Sequence, residues 1–176
     1  MLRVSMGLFS FRSSKKDTHA EVDAAPDVDL ATYQVGNSRL GNPPEESAVF
    51  SAAFRSSHVF ESEPMGLEVG SREGVLDYVF LTVENFAGRF LSDGTVLEIG
   101  PNTVEEEIRN RFGDPYWVDR SDGETILFYE YDAGTIELQF EFPEAKGLGF
   151  VTLSRNGVLS EAEQRESYGV DKPWPP

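Results

Sequence analysis

In the stretch "TIELQFEF", Thr135 to Phe142, apolar and polar side chains alternate. Ile136, Leu138, Phe140 and Phe142 fall on one side of an extended chain, and Glu137, Gln139 and Glu141 on the other. A period of two with a single apolar side marks a half-buried antiparallel strand with one solvated face. Four more stretches read as extended: "GVLDYVFLTVENF", "GRFLSDGTVLEI", "TILFYEY" and "LGFVTLS". Asp93-Gly94 divides the second of these as a two-residue hairpin turn. In "TILFYEY" both sides carry apolar residues, so the pattern does not set its facing.

The period changes between Thr103 and Phe112, where Val104, Ile108 and Phe112 recur every fourth residue. Thr103 reads as the cap of a helix and Glu106 as its box partner, while Glu105 to Glu107 suit the positive end of the dipole. Arg109 and Arg111 suit the other end, Gly113 offers a stop with positive φ, and Pro115 blocks continuation. An earlier helix is expected from Pro43 to Phe54. Asn42 is its cap, Pro43 its first position, Glu45 completes the capping, and Val49, Phe50, Ala53 and Phe54 form its apolar stripe.

These elements predict an α+β fold in which short helices pack on one face of an antiparallel sheet and leave the other face free. Residues 1–29 lack periodicity and mix charges, which predicts a disordered arm. Residues 30–158 form the domain, and 159–176 a helical turn with a Pro-rich tail. Arg39 to Ser62 also parallels Glu98 to Ser121 at a period of about 59 residues. Tandem helix-plus-sheet repeats over 30–94 and 95–158 would explain that, as would chance likeness between two capped amphipathic helices.

The order of a Thr-capped helix, "FGDP", then "ETILFYEY", "GTIELQFEF" and "LGFVTL" resembles the helix-then-sheet module of the β-lactamase-inhibitor-protein-like fold. Small outer-membrane-assembly lipoproteins share that module, and several bacterial toxin-immunity proteins look similar. The matching positions are Gly100, Thr103, Ile108, Phe112, Gly113 and Pro115, within roughly residues 86–154. The resemblance implies protein binding through a sheet face rather than catalysis.

Composition narrows the chemistry. The chain has 176 residues with no Cys, which excludes disulfides, zinc–thiolate sites and thiol catalysis. The start, "MLRVSMGLFSFRSSKK", shows no clear secretory pattern, and either Met1 or Met6 could begin the protein. No apolar run approaches the roughly 20 residues of a membrane span. A cytoplasmic protein without membrane contact is the expectation. The net charge is −16, with 15 basic and 31 acidic side chains, so nucleic-acid phosphates should be repelled and a basic protein partner attracted.

Catalytic constellations are thin. His58 stands beside Ser56 and Ser57 without a positioned acid, and His19 lies in the arm. In "DRSDGETILF", Asp119, Asp122 and Glu124 miss the alternating spacing of a calcium loop, because Gly123 occupies a ligand position. No Gly-rich phosphate loop is present. The sequence therefore points to no catalytic residue, no cofactor and no metal. It predicts a non-enzymatic binding protein, of the toxin-neutralising immunity type. A carboxylate-based small-molecule binder or hydrolase is the alternative, and a scaffold piece of a larger assembly the third. The expected contact residues are Glu130, Glu137, Gln139 and Glu141 on the solvated sheet face, with Tyr116 and Trp117 as anchors. Oligomeric state is left open.

Overall fold

The computed structural model describes residues 25–44, 58–145 and 147–176. Seven strands form a large sheet: β4 (Val59–Ser62), β5 (Leu67–Arg72), β6 (Val75–Thr82), β9 (Trp117–Asp119), β10 (Thr125–Tyr131), β11 (Ile136–Phe142) and β12 (Phe150–Arg155). Their order is β4-β5-β6-β12-β11-β10-β9, antiparallel throughout. Two meanders thus enter from opposite edges and meet at β6 and β12. A smaller sheet holds β1 (Val28–Asp29), β2 (Gln34–Val35), β3 (Ser38–Arg39), β7 (Phe90–Ser92) and β8 (Thr95–Val96). Its order is β3-β2-β1-β7-β8, and β1 runs parallel to β7.

This overturns the α+β expectation of helices packed on one face of an antiparallel sheet. The protein is mostly β, with two sheets and, among the described residues, two short helices, α1 (Glu105–Phe112) and α2 (Ala162–Ser167). Strands of two residues carry no period to read, so β1, β2 and β3 were invisible in the pattern. Gly70 interrupts the alternation of β5 in the same way. Its absent Cβ makes room for Tyr78, which crosses it from the next strand. The predicted helix from Pro43 to Phe54 lies, from Glu45 onward, outside the described residues.

One apolar cluster joins the two sheets. Val69, Val79, Leu81, Leu127, Leu138, Phe140, Val151 and Leu153 of the large sheet meet Val28, Leu30, Val35 and Phe90 of the small one and its turns. From α1 only Ile108 is fully buried, while Phe112 contributes through rings, 5.0 Å from Phe140 and 6.0 Å from Tyr129. Val28 is inaccessible to solvent, so ordered structure begins before residue 30, where the sequence had placed the end of the arm. Asp29 explains why. Its carboxylate accepts from the backbone N–H groups of Ala31, Thr32, Asp93 and Gly94, tying β1 to the hairpin turn between β7 and β8. Burial opposes its ionisation, but these four donors outweigh it and hold the carboxyl below its usual range.

The cap of α1 also differs from expectation by one residue. The Thr103 hydroxyl turns back to accept from Gly100 N–H at 3.0 Å, and Glu107 rather than Glu106 reaches the N–H of Val104 at 2.9 Å. Gly113 ends the helix at φ 82°, ψ −164°, a region essentially restricted to glycine.

Candidate functional site

The alternation in β11 is realised as read, with Ile136, Leu138, Phe140 and Phe142 toward the joint core. On the opposite face the register forms cross-strand rows. Glu130, Glu137, Ser154 and Tyr78 make one row, and Phe128, Gln139, Thr152, Phe80, Glu68 and Glu61 make the next. The expectation that this face is solvated fails over β9, β10 and β11. The C-terminal segment lies on it: Leu159 is inaccessible, and Val158, Tyr168, Val170 and Trp174 pack with Ile126, Phe128, Tyr116 and Trp117.

Glu137 is the pin of that arrangement. It has no accessible surface, and its two carboxylate oxygens accept from the N–H groups of Val158 and Leu159, each at 3.0 Å. Gln139 donates to the same carboxylate. Gly157 allows the approach, because a Cβ there would fall 2.2 Å from Cδ of Glu137. Next to it the Glu130 carboxyl is buried and, as a carboxylate, has no donor. Burial first and the Glu137 charge second push its pKa up to about 10, so at neutral pH it keeps a proton and can donate to Glu137. Glu141 is half-buried, and burial followed by the charge of Glu124 raises it to about 7.

Tyr116 and Trp117 are likewise engaged within the chain. The Tyr116 hydroxyl donates to the carbonyls of Lys172 and Pro173, and its ring meets Trp174 edge-on at 5.7 Å. Trp117 is packed beneath the same segment, its indole N–H buried. Of the six residues expected to meet a partner, Tyr116, Trp117 and Glu137 instead meet residues 158–174, Glu130 and Gln139 adjoin Glu137, and Glu141 lies half-buried between Ile126 and Phe150. Sequence periodicity gives facing, not cover, and the single signal available was the apolar content of "GVLSEAEQRESYGVDKPWPP".

The same face differs over β4, β5, β6 and the start of β12. There a recess of about 190 Å³ is lined by Glu61, Glu63, Glu68, Phe80, Phe150 and Thr82, among others, and among the described residues no basic side chain lines it. Phe80 and Phe150 stack at 5.5 Å, and both are half-buried. Glu68 accepts the Tyr78 hydroxyl at 2.5 Å, while Glu61 and Glu63 are exposed. Among the described residues no group of three or more His, Asp or Glu side chains converges on a metal position. Asp119 instead accepts from Ser121, and His58 is exposed, with its carbonyl held by Ser71. His19, Ser56 and Ser57 lie outside the described residues.

Comparison with known protein families, curated proteins and solved structures finds no match. Among the described residues no helix is long and apolar enough to cross a membrane.

Proposed function

We propose that this chain is a non-catalytic protein-binding domain, of the kind that neutralises a toxin, and that its partner is basic. The observation that carries the reading is the recess over β4, β5, β6 and the start of β12. Three carboxylates, Glu61, Glu63 and Glu68, surround an aromatic pair, and no cation of the described residues lies among them. An apolar centre with a charged rim is the usual anatomy of a protein interface. A lysine- or arginine-rich surface with one apolar anchor complements it. The rim charges act over about 8 Å at physiological salt, so they speed encounter more than they hold the complex.

The test begins by capturing and identifying the partner with the whole chain, then compares on-rates at two salt concentrations for wild type and a Glu61→Lys, Glu63→Lys variant. Both positions are exposed, so the variant should fold. A basic partner whose on-rate falls with salt, and falls about tenfold or more in the variant, supports the proposal. A neutral or acidic partner, or on-rates indifferent to both changes, rejects it.

A further inference from the structure

Nine of the 15 basic side chains lie among the described residues. In a chain of net charge −16, each should find an acceptor easily. Arg72, Arg89, Arg109 and Arg120 have carboxylates, and Arg165 and Lys172 have backbone carbonyls. Three have no ion pair or side-chain hydrogen bond among the described residues: Arg39, Arg111 and Arg155. Arg111 is exposed on α1, whereas Arg39 and Arg155 line one cavity of about 320 Å³ between the small sheet and the β10–β11 turn. We infer that this cavity binds a small molecule through a carboxylate or phosphate group held between Arg39 and Arg155.

The remaining lining fits that chemistry. Asn42 and Asn156 also face no hydrogen-bond partner among the described residues with their amides, so two further polar groups stand unused beside the guanidiniums. Among the described residues Asp132 is the one acid in the lining, and no ion pair within 4 Å joins it to either arginine. The charge of the described lining is therefore +1. The surplus acid elsewhere acts weakly beyond about 8 Å, so the nearest charges decide the sign of the ligand. Each guanidinium presents a planar fork of donors that matches the acceptors of carboxylate and phosphate. The cavity also has an aromatic wall, Tyr33, with the Arg39 guanidinium 5.8 Å from its ring centroid.

The backbone that carries these groups is fixed before any ligand arrives. Gly41 N–H donates to the Leu76 carbonyl and Leu76 N–H to the Asn42 carbonyl, both at 2.9 Å. Asn156 N–H donates to the Thr135 carbonyl at 2.9 Å, and Arg155 sits at the end of β12 opposite Ile136. Tyr33, Asp132 and Asn156 all hold positive φ, at 58°, 50° and 47°. Such conformations disfavour L-residues and gather at binding sites whose geometry is set in advance. The inference stands apart from the protein-binding reading, because the acidic recess and this cavity share no lining residue.

The experiment is a titration of the whole chain with inorganic phosphate, with succinate and with chloride at matched ionic strength, followed by calorimetry and by thermal melting. Chloride controls for screening of the negative surface, which stabilises any acidic chain. Saturable binding of phosphate, of succinate or of both supports the inference and tells the two ligand chemistries apart. Arg155→Gln and Arg39→Gln should each weaken it at least tenfold, with Arg111→Gln unchanged. Arg39 is exposed, so its variant keeps the test valid if Arg155→Gln fails to fold. No heat or melting shift beyond that of chloride, or equal binding by wild type and Arg39→Gln, overturns it.

Discussion

Gly157 shows how one missing side chain organises its surroundings. Its φ of −60° is open to any residue, so glycine is required there only by the Glu137 side chain pressed against it. Glu137 cannot yield, since it is buried and bound by two backbone N–H groups. Gly113 is the converse. A Cβ there would meet nothing within 4 Å, but its backbone is one that other residues avoid. Gly157→Ala and Gly113→Ala should each cost about 1–3 kcal/mol, by crowding and by backbone strain respectively. Urea midpoints measure both. Only the Gly157 variant should also raise protease cleavage within residues 158–176, because it alone acts on the docking of that segment.

At the scale of elements, the C-terminal segment completes the large sheet. Leu159 inserts against Ile126 and Phe128, the Tyr168 ring meets Phe128 edge-on at 5.3 Å, and Arg165 holds the carbonyls of Leu159 and Ser160 while lying over Trp174. Gly134, in the β10–β11 turn, makes room for the Trp174 indole. α2 has no buried residue of its own, so the segment is held by the 3₁₀ turn Val158–Ser160 and the aromatic end. Leu159→Ala should therefore destabilise the protein by about 2–5 kcal/mol, the usual cost of emptying a fully buried leucine site. Chemical denaturation monitored by Trp117 and Trp174 fluorescence would read it. A loss below about 0.5 kcal/mol would show that the segment is a loose cover rather than part of the core.

For the whole molecule, charge and burial combine into a pH dependence. Glu130 and Glu141 hold protons in the folded state that the unfolded chain releases above the ordinary carboxyl range. Their contribution is complete at low pH and is lost as pH rises through about 7 for Glu141 and about 10 for Glu130. Asp27, Asp29 and Glu105 act in the opposite sense. The Arg89 hydrogen bond lowers Asp27, backbone donors prevail over burial at Asp29, and the Arg120 and Arg109 hydrogen bonds lower Glu105. Their contribution is present above the unfolded value and lost as pH falls through the folded one. Stability should peak on the acid side of neutrality, near about pH 5. Glu130→Gln supplies a permanently neutral donor to Glu137 and should flatten the alkaline decline. Melting temperatures from pH 4 to 10 for both proteins test this, and a wild-type melting point that climbs from pH 5 to 9 would refute it.

What the sequence by itself determined was local. The apolar side of β11, the Asp93-Gly94 turn, the stop at Gly113, the extent of β10 and the existence of β6 and β12 all follow from short-range pattern and turn chemistry, which act within a few residues. What only the tertiary structure decided was which surface each pattern would meet. The polar positions Glu137 and Gln139 alternate with apolar ones as a solvated face does, yet residues 158–174 lie against Glu137, and carboxyls that looked exposed are protonated, as at Glu130, or held by backbone donors. The small sheet joins strands more than 50 residues apart, Val28 beside Phe90, through hydrogen bonds that no periodicity encodes. The arginine cavity was equally hidden, because Arg39 and Arg155 stand 116 positions apart and only folding sets them around one cavity. Pattern reports which side of an element is apolar. Burial, pKa and binding depend on what the rest of the chain lays against each side, and that is a property of contacts between residues distant in sequence.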